Sequence, residues 1–111
     1  MLGKKYRVPV QNFPRNAKTI FSGKLFVIKS SANQFLYSRV GVIVRKGTVK
    51  SSAKRNKIRR TTFRAFEKNP VVLDGLGWDY LVIVNVPNEL DDEVYVALTK
   101  ELEGAVIKIN R

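Results

Sequence analysis

Residues 52–68 read SAKRNKIRRTTFRAFEK, and they carry the clearest structural signal in this sequence. Their apolar and small side chains recur at the spacing of one helical face: Ile58, Thr62, Ala65 and Phe66. Ser51 or Ser52 can cap a helix at its start, and the pair Asn69-Pro70 is typical of a helix end. The stretch therefore predicts a basic helix at 52–68 with one buried face.

The same helix carries a high concentration of positive charge. Six cations surround Asn56: Lys54, Arg55, Lys57, Arg59, Arg60 and Arg64. Like charges four residues apart, such as Arg55 and Arg59, destabilise an isolated helix by about 0.2–0.5 kcal/mol per pair. An anionic partner is expected to offset this repulsion. Arginine pairs bidentately with phosphate, and a surface directed at the phosphate backbone recognises the shape of a folded RNA.

The charge of the whole chain is unevenly distributed. Its 111 residues include 21 Lys and Arg against 9 Asp and Glu, which gives a net charge of +12. Residues 1–68 contain 18 of the basic side chains and only Glu67 as an acid, a net charge of +17, whereas residues 69–111 have a net charge of −5. A small domain with one strongly positive surface attracts a polyanion, so nucleic acid is the first candidate partner.

The composition excludes several kinds of site. The sequence has no Cys and no His, which removes disulfides, zinc sites of the usual kind, thiol nucleophiles and imidazole bases. The longest apolar run, Leu81 to Val84, is too short for a bilayer, and the N-terminus lacks the apolar stretch of a signal peptide. We therefore expect a cytoplasmic protein with no membrane partner. The acidic residues at 91–93 suit a helix start, so no metal site is predicted there.

Strands are predicted on both sides of the basic helix. Residues 24–29 and 37–44 have strand patterns and together predict a hairpin with turn residues at 30–33. Gly41 marks a position where a side chain is not expected to fit. Residues 80–84 form a near-continuous apolar run, which is typical of a central strand covered on both faces.

The two ends complete the predicted domain. Residues 1–12 form a basic, irregular arm, and a short helix starts near Pro14. The last helix is predicted to span roughly residues 91–103, with Gly104 as a candidate stop, and continuation through residues 105–109 stays open on the sequence. Residues 1–111 thus form a single RNA-binding domain of the α+β class, a compact α/β sandwich with the approximate element order αβββαβα.

Arg55-Asn56-Lys57-Ile58-Arg59-Arg60 resembles the Arg-Asn-Arg signature of the bacterial ribonuclease P protein family. Arg39-Val40-Gly41-Val42 is similar to the family's strand before the signature, and Asp79-Tyr80-Leu81-Val82-Ile83 to the strand after it. Lys46 resembles the basic residue that ends the earlier strand, and Phe66 resembles the aromatic residue that closes the helix. The resemblance runs from the start of the chain to the strand after the signature, whereas the final helix agrees only in position.

The chain departs from the family pattern at several positions. Ala17 stands near a family aromatic residue, Lys29 near a Tyr, and Phe63 and Asn85 each near an Arg. Pro14 also shortens the first helix. These departures leave fewer aromatic rings on which the bases of a single strand could stack.

The resemblance implies a fold and a function. The fold would be a compact α/β domain with a left-handed crossover between parallel strands, an exception to the usual hand. The chain would be an adaptor for a catalytic RNA that hydrolyses the phosphodiester releasing the 5′ leader of precursor tRNA. Its partners would be ribonuclease P RNA and precursor tRNA, with no obligate protein partner. Magnesium would be bound mainly by the RNA subunit and none by the protein alone, and no protein side chain would be catalytic.

The resemblance also implies two sets of contact residues. The set on the catalytic-RNA side comprises Lys46, Lys50, Arg55, Asn56, Lys57, Arg59, Arg60 and Arg64. The set that binds the leader comprises Phe13, Arg15, Phe26 and Arg39. Unpaired bases stack on aromatic rings while cations follow the backbone, which suits the second set to a single strand. Phe26 is equally well explained as a core residue, and Phe13 as a residue that pins the short N-terminal helix.

Other functions stay open on the sequence alone. A ribosomal or tRNA-binding protein has a similar charge stripe, but it would bind RNA without raising precursor-tRNA cleavage by a catalytic RNA. A nuclease acting alone needs a cluster of carboxylates among its basic residues, and the basic half offers only Glu67. DNA binding is supported by charge, but the sequence shows no two-helix recognition pattern.

Overall fold

The computed structural model describes residues 6–8, 10, 13–14, 16–45, 51–69, 77–85 and 92–109. Four strands and two helices follow one another along this part of the chain: β1 Lys18–Ser22, β2 Phe26–Ala32, β3 Arg39–Val44, α1 Ser52–Glu67, β4 Trp78–Val84 and α2 Asp92–Ile107. The predicted α+β class is confirmed. None of the helices in these ranges is long and apolar enough to cross a membrane.

The strands form one sheet in the order β1-β2-β4-β3. The last strand along the chain, β4, lies between β2 and β3, and it pairs antiparallel with β2 and parallel with β3. Tyr80, Val82 and Val84 on this strand have no measurable exposure to solvent. The predicted central strand at residues 80–84 is therefore confirmed.

The predicted hairpin between residues 24–29 and 37–44 is wrong, because β4 separates these two segments. β2 forms its hairpin with β1 instead, where Ser22 pairs with Val27 and the backbone N–H of Gly23 donates to the Phe26 carbonyl at 2.9 Å. The most apolar strand gains most by having a neighbour on each side, and this tertiary preference overrides proximity along the chain.

The predicted short helix near Pro14 is also wrong. The described part of residues 13–22 contains a turn, in which the Ala17 N–H donates to the Pro14 carbonyl at 3.3 Å, and then β1, but no helix. Proline restricts the backbone at the start of this segment, and the β-branched and aromatic residues Thr19, Ile20 and Phe21 favour a strand. Ile20 and Phe21 pack against the core as members of that strand.

Helix α1 agrees closely with the prediction. Ser51 is its N-cap, and its hydroxyl accepts a hydrogen bond from the Lys54 backbone N–H at 3.4 Å. All four residues of the predicted apolar face are buried: Ile58, Thr62, Ala65 and Phe66. The helix connects the parallel neighbours β3 and β4, so the three elements form a βαβ unit. The left hand of this crossover stays a prediction.

The N-terminal segment lies along the outer edge of β3. Arg7 forms an isolated parallel bridge with Val40, and the Val8 N–H donates to the Val40 carbonyl at 3.0 Å. A Cβ atom on Gly41 would lie 2.9 Å from Val8 Cγ1 and 3.1 Å from the Val8 carbonyl oxygen. The prediction that a side chain does not fit at Gly41 is confirmed. Much of the predicted basic arm, residues 1–5, 9 and 11–12, lies outside the described residues.

Helix α2 continues through Gly104 to Ile107, so the candidate stop at Gly104 does not end it and the open question of residues 105–109 is answered up to Ile107. The residues that follow the glycine explain the extension, because Ala105 and Val106 are buried in the core. Packing of these two side chains outweighs the modest cost of one glycine in a helix. Asp92 and Glu93 occupy the first turn of α2, as the electrostatics of a helix start favour.

Candidate RNA-binding surface

The positions of the basic side chains of α1 are determined by the packing of its buried face and by a hydrogen bond between neighbouring turns of the helix. Burial of Ile58 turns the signature residues around it toward the surface, where Asn56 and Arg60 are exposed and Arg59 is half-buried. Arg59 Nη1 donates to Asn56 Oδ1 at 3.1 Å, which orients one signature residue by another. Within the described residues, Arg59, Arg60 and Arg64 form no ion pair. Their charge is therefore available to an anionic ligand.

Lys57 lies on the side of α1 that faces α2. Its Nζ atom is 4.2 Å from the centre of the Tyr95 ring, a cation–π contact. The Tyr95 and Thr61 hydroxyls are hydrogen-bonded to each other, so the ring is held between the two helices. The predicted catalytic-RNA set is thus divided between two sides of the helix.

The other side of α1 contributes to a pocket of about 350 Å³. Three guanidinium groups, one amide and one aromatic ring line it: Arg7, Arg59, Arg60, Asn56 and Phe63. The sequence alone does not predict Arg7 and Phe63 as site residues. The sequence contains one indirect indication that Arg7 belongs to the site. A glycine inside a strand, here Gly41, indicates that another segment of backbone approaches closely, but it does not identify that segment.

The Arg39 side chain forms an ion pair within the protein. Its Nε and Nη2 atoms donate to Oδ1 and Oδ2 of Asp79 at 2.9 and 2.7 Å, a bidentate pair across the parallel strands β3 and β4. The hydrogen bonds to Asp79 raise the pKa of Arg39 above its ordinary value, and burial opposes them only in part. Asn33 Nδ2 also donates to Asp79 Oδ1, at 2.8 Å. The network fixes the position of Arg39 but compensates much of its charge.

Aromatic rings surround Arg39. The Phe35 ring lies 4.8 Å from the guanidinium carbon and stacks on Tyr37 with ring centres 5.2 Å apart. Tyr6 contacts Tyr37 edge-on at 5.7 Å. Phe35 is 44% exposed, so part of its ring is accessible to a ligand. These rings are absent from the predicted leader set. Residues 34–37 form bends between β2 and β3, so no alternation of a strand in the sequence indicates that Phe35 and Tyr37 come together beside Arg39.

The remaining predicted leader residues lie in different surroundings. Phe26 is 1% exposed, and its ring stacks on Phe21 with centres 5.0 Å apart, so it packs as a core residue. Phe13 is half-buried, and its backbone N–H donates to the Val10 carbonyl at 3.1 Å. Arg15, Lys46 and Lys50 lie outside the described residues.

The side chains of the described residues do not form a metal site. No group of three acidic side chains comes close enough in these ranges to hold a cation, and the sequence has no His or Cys to substitute for them. Hard cations such as Mg²⁺ are held by oxygen ligands, mostly carboxylates and water. None of the described side chains is therefore assigned to magnesium.

Ribonuclease P proteins are similar to this chain in sequence and in structure. The ribonuclease P protein component of Borreliella burgdorferi, in strains ZS7 and B31, is 29% identical over 108 residues, which cover 96% of this chain and 88% of the relative. A Staphylococcus aureus RNase P protein mutant with defective mRNA degradation activity has a similar structure, with a TM-score of 0.73 and 23% identity over 96% of this chain and 88% of that one. The RNase P protein of Thermotoga maritima gives a TM-score of 0.69 with 20% identity over 95% and 98% of the two chains.

The fold and the sequence lead to the same assignment. The sheet order, the parallel βαβ unit and the basic helix occur together in a chain whose structure matches those of ribonuclease P proteins. The family model named Ribonuclease P matches residues 11–110, nearly the whole chain. This chain belongs to the ribonuclease P protein family.

Proposed function

We propose that this chain is the protein subunit of a ribonuclease P, which binds the catalytic RNA and assists magnesium-dependent removal of the 5′ leader from precursor tRNA. The observation that carries the proposal is the outer surface of α1, where Arg59, Arg60 and Arg64 stand without an acidic partner among the described residues. Family membership supports partnership with ribonuclease P RNA in particular.

The α1 surface would bind the catalytic RNA through its phosphates. A guanidinium group can form two parallel hydrogen bonds with the oxygens of one phosphate. The packing of α1 on the sheet fixes the backbone of these arginines in the absence of RNA. Asn56 would orient Arg59 through the hydrogen bond between them. Preorganisation of this kind lowers the entropy lost on binding.

The leader would be bound near Arg39. Phe35 and Tyr37 offer rings for unpaired bases, and the Asp79 network holds Arg39 beside them. Phe13 remains a candidate on the N-terminal side. Phe26 would act indirectly, because its buried ring supports the half-buried Phe21 rather than offering a free face.

The hydrolysis itself would take place on the RNA subunit. Bound magnesium supplies charge stabilisation and an activated water for the cleavage of phosphodiesters. The protein would contribute affinity and alignment of the substrate, which lower the barrier by positioning. No side chain of this chain is given a catalytic role.

The test is cleavage of precursor tRNA by a bacterial ribonuclease P RNA at low magnesium. Reactions with RNA alone, protein alone and both together are compared. Stimulation that requires the RNA, with none from the protein alone, is the expected result. Binding of the RNA without stimulation, even with the RNA of the same source, would favour a ribosomal or tRNA-binding protein instead, and cleavage by the protein alone would contradict both.

A further inference from the structure

The pocket beside α1 is built by two segments that are far apart in sequence. One wall comes from the signature helix, through Asn56, Arg59 and Arg60, and the other comes from Arg7. We propose that this pocket takes one unpaired nucleotide of the RNA that α1 binds, with its phosphate on the arginines and its base against Phe63. The inference rests on the proposed function and adds to it a defined nucleotide site.

The position of Arg7 is fixed by the sheet. The bridge between Arg7 and Val40 and the hydrogen bond from the Val8 N–H to the Val40 carbonyl hold the N-terminal segment on β3. Gly41 permits this approach, because a Cβ atom there would collide with Val8. The wall opposite α1 is therefore part of the folded domain.

The charge of the pocket selects an anion. Three guanidinium groups line it, and no carboxylate is among the lining residues that the structure describes. Arg7 and Arg59 are both half-buried, so their mutual repulsion is less screened than at an open surface. A phosphate bound between them would offset this repulsion and could form two hydrogen bonds with the guanidinium group of either arginine.

The apolar wall distinguishes a nucleotide from a simple anion. Phe63 is one of the lining residues, and 8% of this residue is exposed. Asn56 Oδ1 already accepts from Arg59, which leaves the amide nitrogen to donate to the edge of a base. An aromatic edge, an amide donor and guanidinium planes are the groups with which proteins hold unstacked bases of RNA.

The size of the pocket limits the ligand to an unpaired residue. A volume of about 350 Å³ lies at the lower end of the range of small-ligand sites. A base inside a duplex would have to leave its stack to enter, whereas a bulged or looped nucleotide is already splayed out. Bulges and loops of a folded RNA are therefore the expected source of the ligand.

The test compares three RNA hairpins that differ at one position: one with a bulged uridine, one with an abasic residue at the bulge, and one fully paired. The full-length protein is expected to bind the uridine bulge about fivefold or more tightly than the abasic bulge. Phe63→Leu, which keeps an apolar side chain, should abolish that difference and leave the affinity for the abasic hairpin unchanged. Arg7→Ala should weaken binding to both bulged hairpins, while Lys100→Ala, which removes an exposed cation on α2, should preserve the difference.

The outcomes separate this inference from the proposed function. Equal affinity of the wild-type protein for uridine and abasic bulges would overturn the nucleotide site, even if precursor-tRNA cleavage is stimulated. Absence of both hairpin binding and stimulation would overturn the proposed function as well. Should Phe63→Leu fail to fold, Asn56→Ala removes an exposed side chain together with its hydrogen bond to Arg59. An undiminished preference for the uridine bulge in that variant would count against the site.

Discussion

Arg39 and Asp79 are paired residues on neighbouring parallel strands, and each is largely shielded from solvent. Their side chains are 23% and 10% exposed, so loss of one partner leaves the other charge poorly solvated. The raised pKa of Arg39 means that its contribution to stability is fully present below the ordinary arginine pKa and is lost only as the pH rises through the folded-state value. The pair is therefore intact throughout the neutral range.

Arg39→Ala should lower the free energy of unfolding by about 1.5–3 kcal/mol, because two charge-assisted hydrogen bonds are removed. Among the described side chains, the Asp79 carboxylate then keeps the bond from Asn33. Urea denaturation at neutral pH measures the change. A double-mutant cycle with Asp79→Ala isolates the pair, and a coupling energy near zero would show that the ion pair contributes nothing.

Gly41→Ala should also destabilise the domain, by about 1–3 kcal/mol, because the new methyl group displaces Val8. None of the described glycines has a positive φ, so the effect comes from space and not from backbone conformation. Thermal or urea denaturation measures the loss. Resistance of the N-terminal segment to limited proteolysis should fall in parallel, and unchanged resistance would mean that the segment adapts in place.

At the level of elements, local signals were sufficient for α1 and insufficient for the sheet. The cap at Ser51, the apolar face and the terminal Asn69-Pro70 all lie within or beside the helix, so its bounds follow from the sequence. Strand partners depend on contacts between distant residues, which is why the pairing of β1 with β2 and the position of β4 between β2 and β3 could not be predicted. The end of α2 likewise depends on core packing at Ala105 and Val106.

Gly104→Ala should stabilise the domain by about 0.5–1 kcal/mol. The residue lies inside α2, a Cβ atom there would meet nothing within 4 Å, and alanine loses less backbone entropy than glycine on helix formation. A rise in the midpoint of urea denaturation checks it. The change is the matched control for Gly41→Ala, since the same substitution is expected to have opposite signs at the two positions; destabilisation by both would refute the argument from space.

On the scale of the whole molecule, the separation of charge along the sequence predicted the kind of partner, but not the shape of its site. The cations of α1 follow from residues 54–64, whereas their neighbours Arg7 and Phe63 in the pocket depend on how the N-terminal segment docks on β3. Tyr6 reaches Tyr37 in the same way, whereas the bends between β2 and β3 bring Phe35 and Tyr37 together locally. Composition thus predicts a surface that attracts a polyanion, and the tertiary structure determines which residues lie together on it.

Replacement of Arg59 and Arg60 by Ala should weaken binding to ribonuclease P RNA and flatten its dependence on salt. For each phosphate that the protein no longer neutralises, the slope of log K against log salt concentration should fall by about 0.7–0.9. Filter binding over a series of salt concentrations measures both quantities. The control is Lys100→Ala with Lys108→Ala, which removes the same charge from exposed positions on and after α2; an equal decrease of slope in the two double variants would indicate a net-charge effect without direct binding of phosphate.

The N-terminal segment on β3 has a consequence for how copies of this protein meet one another. A bare edge strand presents unpaired N–H and C=O groups that recruit strands from other chains. Here residues 7 and 8 cover part of one edge of the sheet, and at the other edge β1 is only five residues long, with a register irregularity between Thr19 and Phe21. Removal of the first ten residues should therefore uncover β3 and promote edge-to-edge association at high concentration. Light scattering should detect larger particles for the shortened chain than for the intact chain, and equal particle sizes would contradict this role of the N-terminal segment.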